Sequence, residues 1–442
     1  MNPIANIFRI PELRKRLFFV LGMLFVFRLG AHVPTPGVNA HLMNMLVSQQ
    51  GGGILGLLDL FSGGSLSQFA IFALGIMPYI SASIILQLLT SVVPALEALK
   101  KEGDAGRKKI TQYTRFLTVG ICLIQSFGIT FWLKSIEVGG MPVVPVFNWF
   151  FVLTTMLTLT AGTIFLMWLG EQMTEYGIGN GMSMLILAGI IASVPAQMAN
   201  MIALLSAGTI TLFHVIAFIA IMLALTAVAV VSQQSFRKIP VQYAQRIVGR
   251  KIYRGQSTQL PLKIDYSGVI AVIFASSIMI IPSMAAKMLE RPGQTGIFQD
   301  VVNFVITWMS PGGAIYILIY AALIVFFCYF YTAITFNPND IADNMKKNGG
   351  FVPGIRPGQP TADYINNILT HITIGGASMI LLIAIIPDLM GGILEIGYYF
   401  GGTTILIVVG VALDTVSQIE SHLLMRHYDG FMKSGRIRGR RA

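Results

Sequence analysis

Ten runs of nearly uninterrupted apolar residues divide this sequence, at about 17–33, 69–93, 116–133, 150–169, 182–205, 212–231, 267–284, 313–335, 370–390 and 399–419. Each is close to the ~20 residues an α-helix needs to cross about 30 Å of hydrocarbon. The runs are continuous rather than alternating, which excludes a lipid-facing β-barrel. Of the 442 residues, 55% are hydrophobic and only 11% are charged. A soluble domain carries roughly 25% charge, and a disordered chain carries little hydrophobicity. The chain reads as an all-α polytopic membrane protein.

Orientation follows from the placement of cations. With the N-terminus inside, 26 of the 30 Lys and Arg fall in inside segments. Three lie outside (Lys134, Lys287 and Arg291), and Arg28 falls within the first run. Cytoplasmic loops collect Lys and Arg, so both termini are expected in the cytoplasm with an even number of spans between them. The basic N-terminus (Arg9, Arg14, Lys15, Arg16) runs into the first span without a small-residue cleavage site. It reads as a retained span, not a removed signal.

Two inside segments, at about 232–266 and 336–369, are polar, broken by Pro and Gly, and longer than a simple connection requires. Long ordered loops tend to carry function. The glycines of "EQMTEYGIGNGMS" mark a tight helix-to-helix turn. Residues 54–68, "ILGLLDLFSGGSLSQ", start apolar and then meet Asp59 and the Gly63–Gly64 pair. They are too short to cross alone. Either they form a re-entrant half helix hinged at the glycines, buried as irregular backbone in a bilayer must be, or they lie outside as an amphipathic helix.

Several chemistries lack their residues. There is no P-loop, no HExxH, no GxSxG, and no pair of aspartates at matched depth in two spans. The six histidines show no i,i+4 pairing, and Cys122 and Cys328 sit in apolar runs with no partner motif. Neither a metal nor a cofactor is expected. Arg28 and Asp414 are the ionisable groups well inside runs, with Asp265 and Asp388 near ends. Arg28 is expected to snorkel or pair with a neighbouring helix, and Asp414 to have a structural pairing role. So few interior charges argue against an ion-coupled solute transporter, the main rival class, which needs a polar site at mid-depth. An intramembrane enzyme and a membrane scaffold are weaker rivals.

The stretch "FALGIMPYISASIILQLLTSVVPALEALKKEGDAGRKKITQYTR" (72–115) carries a resemblance. With it go "FRLGAHVPTPGV" (27–38), "LFSGGSLS" (60–67), "MWLGEQMTEYGIGNGMS" (167–183), "YFYTAITFNPNDIADNMKKNGGFVPGIRPGQPTADYI" (329–365) and "YYFGGTTILIVV" (398–409). These blocks, in order over nearly the whole chain, resemble the SecY family, whose members are the central subunit of the bacterial protein-translocation channel. The resemblance implies ten helices in two pseudo-symmetric halves, 1–205 and 206–442, around an hourglass pore. It also favours the re-entrant alternative for 54–68, as a plug that includes Leu57, Leu58, Asp59, Phe61, Gly63 and Gly64.

By the same resemblance the pore ring maps onto Ile76, Ile80, Met182, Ile186, Ile273 and Ile407. A conduit for arbitrary unfolded sequence cannot carry fixed hydrogen-bond donors, which would hold some side chains and stall others. Yielding apolar side chains seal against water and still part around a passing chain. Met182 departs from the family's isoleucine, but its flexible thioether suits a deformable seal.

The lateral gate, through which apolar helices would leave for lipid, maps onto Ser81, Gln125 and Asp265. Asp265 departs from an expected neutral side chain, and Ala271 from an expected proline. Arg356 and the Arg250–Lys251 pair are implied to dock a driving partner, either the motor ATPase SecA or a translating ribosome. The other implied partners are SecE-type and SecG-type small subunits, an unfolded nascent polypeptide with its signal sequence, membrane lipids, SecDF and YidC. The expected location is the bacterial cytoplasmic membrane.

Overall fold

The computed structural model describes residues 10–49, 54–134, 136–243, 246–248, 251–253, 257–289, 297–308, 313–394 and 401–434. In chain order come α1 (Pro11–Gly30), α2 (Ala40–Gln49), α3 (Ile54–Ser62), α4 (Met77–Val92), α5 (Pro94–Lys101) and α6 (Asp104–Lys134). A small hairpin, β1 (Glu137–Val138) and β2 (Met141–Pro142), leads to α7 (Trp149–Tyr176), α8 (Gly181–Ser206) and α9 (Leu212–Gln234). Four strands follow: β3 (Phe236–Tyr243), β4 (Arg246–Val248), β5 (Lys251–Tyr253) and β6 (Ser257–Lys263). Then come α10 (Gly268–Leu289), α11 (Ile297–Trp308), α12 (Ala314–Thr335), α13 (Pro338–Lys347), β7 (Gly350–Phe351), α14 (Gln359–Leu394) and α15 (Gly402–Ser434).

Helices dominate because a helix satisfies every backbone polar group within its own segment, as hydrocarbon demands. Among the described residues, seven helices are long and apolar enough to cross a membrane, or eight if α4 and α5 form one broken span. That pair is bent by 97°. Pro94 opens α5 and holds Val93 extended, at φ −94° and ψ 113°, the conformation a following proline favours. The second apolar run departs from a simple span. Its helix begins only at Met77, and residues 63–76 are irregular.

The chain gathers into two compact units. One comprises residues 1–83, 111–200 and 407–442, the other 84–110 and 201–406. In the first, Phe72 stacks between Phe27 and Phe165, with centroids 6.1 and 6.0 Å away. Glycines allow the approach: a Cβ on Gly30 would strike the Phe72 ring, and one on Gly162 would strike the Ile71 carbonyl oxygen. The irregular stretch is tied to residues 33–35, where Thr35 N donates to Phe69 O at 2.9 Å and Ile71 N to Val33 O at 3.0 Å. Phe69 is fully buried with φ 44°, a strained geometry that surrounding contacts must hold.

In the second unit, α12 packs against α10 and α14, with Phe274 meeting Phe327 edge-on. The two long inside loops are not plain connectors. Strand β3 pairs antiparallel with β6 from Phe236↔Lys263 to Gln242↔Ser257, and with β7 at Gln242↔Phe351 and Tyr243↔Gly350. Ile239, Val241 and Leu262 on this sheet pack with Met345, Val352, Ile365 and Leu369. That apolar layer joins the two loops into one rigid element.

Gly162→Ala is expected to cost about 1–3 kcal/mol, since the collision is with backbone that has nowhere to move. The measurement is thermal unfolding in detergent, and an unchanged midpoint would mean that 69–76 shifts freely.

Candidate functional site

Segment 54–68 is held by a dense set of local hydrogen bonds. Leu55, Leu60, Phe61 and Ser62 are buried, so α3 packs inside its unit and does not lie on the surface. Gly64 N donates to Asp59 O at 2.8 Å and Gly63 N to Leu60 O at 3.2 Å, the paired bonds of a Schellman end. That motif needs a left-handed residue, and Gly63 sits at φ 69° with Gly64 at φ 82°.

The serines explain the rest of "SGGSLS". Ser65 Oγ donates to Ser62 O and Ser67 Oγ to Gly64 O, both at 2.8 Å, while Ser62 Oγ accepts from Leu66 N. Asp59 Oδ1 accepts from Ser67 N at 2.7 Å. Much of the irregular backbone is thus satisfied from within the segment, as burial away from water requires. Of the remaining residues expected here, Leu58 is half-buried, and the Leu57 side chain lies outside the described residues.

The expected ring residues fall on four helices. Ile76 just precedes α4 and Ile80 lies on it, Met182 and Ile186 are one turn apart on α8, and Ile407 lies on α15. Ile76, Ile80, Ile186 and Ile407 are buried. All five belong to the first unit, while Ile273, half-buried on α10, belongs to the second. Met182 packs over Gly170, where a Cβ would stand 2.5 Å from its Sδ.

The turn that sets the start of α8 is pinned from several sides. Gly179 N donates to Gln418 Oε1 at 2.8 Å, Gly181 N to Thr174 Oγ1 at 2.9 Å, and Arg16 Nη1 to Gly177 O at 3.1 Å. Nearby, Arg115 grips Glu171 through two bonds of 2.8 and 2.7 Å, the bidentate fork that guanidinium and carboxylate favour.

Of the expected gate residues, Ser81 on α4 is buried and Gln125 on α6 half-buried. Asp265 ends the strand-to-helix passage into α10, with Oδ1 accepting from Gly268 N at 2.6 Å and from Ser267 Oγ at 2.9 Å. It thereby occupies a donor otherwise orphaned at a helix start. Burial pushes its carboxyl above the ordinary 3.8, against the opposing pull of those hydrogen bonds. Ala271 is fully buried on α10, where a small side chain fits. Among the expected docking cations, Arg356 is exposed in the turn between β7 and α14. Arg250 lies outside the described residues, and Lys251 is on β5 with its side chain outside them.

The structure adds to the sequence expectations at three places. The sheet was signalled by alternation in "KIPVQY", whose Ile239 and Val241 point to one face, and was passed over because the loops are polar overall. Arg28 does pair with a neighbour, but with a backbone group: its Nη1 donates to Gly63 O at 2.6 Å. Asp414 is exposed on α15, so burial gives no ground for the pairing role expected of it.

The sequence pattern of the SecY family matches residues 70–416. The protein translocase subunit SecY of Escherichia coli (strain K12) is 45% identical over 429 residues, covering 97% of this chain and 96% of that protein. Its counterpart from Streptomyces galbus is 48% identical over 445 residues, covering 98% and 100%. Among solved structures, a protein-conducting channel superposes with a TM-score of 0.64 at 16% identity, covering 95% of this chain and 96% of its own. Sec61 in the canine ribosome–channel complex from the endoplasmic reticulum superposes with a TM-score of 0.61, also at 16% identity and the same coverage. These two share the fold.

The Asp265 geometry predicts a sign. The folded state binds the carboxyl proton more tightly than the unfolded chain, so the native protein should lose stability relative to Asp265→Asn as pH rises from 3.8 through the raised value. Asp265→Ala, which strands the Gly268 donor, should cost about 1–3 kcal/mol at acid pH, where the native carboxyl is protonated, and less as pH rises. Thermal unfolding in detergent across the acid-to-neutral range reads both, and a pH-independent gap between Asp and Asn would contradict the assignment.

Proposed function

This chain belongs to the SecY family, and from that premise we propose how it performs as a protein-conducting channel subunit. It is a multi-pass membrane protein that serves protein translocation, not a solute transporter. The proposed arrangement is ten spans in two pseudo-symmetric halves, 1–205 and 206–442, around an hourglass pore in the bacterial cytoplasmic membrane. Both termini face the cytoplasm in this reading, in keeping with the Lys and Arg distribution.

Ile76, Ile80, Met182, Ile186, Ile273 and Ile407 form the proposed constriction, and α3 with its hinge forms the plug beneath it. The observation that carries the reading is α3 itself. A short helix with a polar hinge, most of whose hydrogen bonds are its own, is packed inside its unit among long apolar helices. A scaffold has no use for such a segment, whereas a conduit needs a stopper that can leave and return.

Ser81, Gln125 and Asp265 line the proposed side exit, where a stretch of ~20 apolar residues prefers lipid and a polar stretch does not. The driving force must come from a partner. The exposed Arg356, carried on the rigid sheet-and-helix element, suits phosphate or carboxylate on a docked body. Arg250 and Lys251 would extend that surface.

The related Sec61 was solved in a ribosome–channel complex, and a translating ribosome is one proposed partner here, the motor SecA the other. SecE-type and SecG-type subunits complete the proposed assembly, with SecDF and YidC as accessory partners. The chain itself is proposed to carry out no covalent chemistry.

Photo-crosslinking probes at Ile80 and Ile407 should label a secretory chain arrested in transit, while labelling confined to the loops would contradict the pore assignment. Arg356→Glu should lower motor-driven export by more than about tenfold, because like charges brought together at an interface cost several kcal/mol. Export at the native rate, from a channel assembled to the native level, would remove the docking role.

A further inference from the structure

We propose that Arg28 is the latch that holds the hinged segment 54–68 in its resting place, a positioning residue for the closed channel. The inference rests on the reading of that segment as the plug. Arg28 is the sole Lys, Arg, Asp or Glu of the first apolar run, and a cation at membrane depth is costly enough to need a partner. Its partner is the carbonyl oxygen of Gly63, 2.6 Å from Nη1. That carbonyl stands at the C-terminal end of α3, where orphan acceptors and the negative end of the helix dipole favour a cation.

The bonds around the hinge divide into two groups. Those made by Asp59, Ser62, Ser65 and Ser67 are internal to residues 59–70 and can travel with the segment. The bonds from Thr35 to Phe69 and from Ile71 to Val33 fasten its base to the 33–35 turn. The Arg28–Gly63 bond is different. It lies on the mobile side of that base, runs to α1, and must break if α3 leaves.

Packing makes the seat specific. A Cβ on Gly63 would stand 3.0 Å from the Gly189 Cα and 3.1 Å from the Phe27 ring, so the α3 terminus fits closely between α1 and α8. Water entering an opening pore can replace the guanidinium at Gly63 and solvate Arg28, which makes the latch reversible.

The test uses the assembled channel complex in a planar bilayer, with three variants beside the native protein. Arg28→Met keeps the length of the stem and removes the donor and charge. Its resting ion conductance should rise about tenfold or more, the range expected when a hydrogen bond to a charged group is lost. Clients with defective signal sequences should pass more readily, while export of intact clients is retained.

Arg28→Lys keeps the cation but loses the planar fork, and should leak to an intermediate extent. Deletion of 57–65 controls for the plug reading. Native resting conductance in an Arg28→Met channel that exports intact clients would overturn the latch, and a leaking deletion beside it would leave the plug reading standing. If the deletion does not leak either, both fall. Should Arg28→Met fail to assemble, Arg28→Lys decides, and conductance equal to the native channel overturns the proposal.

Discussion

Hydrocarbon offers no hydrogen bonds, so every backbone N–H and C=O at membrane depth must find its partner within the protein. Most of this chain meets the demand with long helices. Where function requires something other than a helix, the sequence supplies partners residue by residue. Ser62, Ser65 and Ser67 each engage backbone groups around the α3 hinge, and residues 33–35 hold the irregular stretch at 69–71. Irregular structure and local polar side chains occur together because neither could stand in a bilayer without the other.

Charge is used as sparingly and in the same way. Arg28 ends on the carbonyl oxygen at the close of α3, Asp265 on the N–H that opens α10, and Arg16 on the carbonyl of the turn before α8. Each charged group meets a backbone group that a helix end leaves without an internal partner. Arg356, on the second of the long loops, is exposed. An apolar layer beneath the sheet fixes where that loop stands.

The features legible in the sequence were those with a local cause. Among the described residues every apolar run contributes to a helix, the second only from Met77, while the Gly63–Gly64 pair and Gly179 take left-handed backbone where the chain turns. The interruption of 54–68 pointed to a re-entrant segment or a surface helix, and only burial separates them. The sheet was hidden because β3 and β6 are joined through residues 244–256, and β7 arrives about a hundred residues later. No local window contains its hydrophobic face.

By itself, the sequence determined the membrane as solvent, the helical answer to it and the positions where the backbone must turn. Each is a property of a residue and its near neighbours. Tertiary structure alone decided which carbonyl Arg28 would reach 35 residues away and which turn Gln418 would hold 239 residues away. It also decided that Gly63 and Gly189 would meet with no side chain between them. Such pairings depend on how packed helices align, and side-chain volume along whole faces sets that alignment.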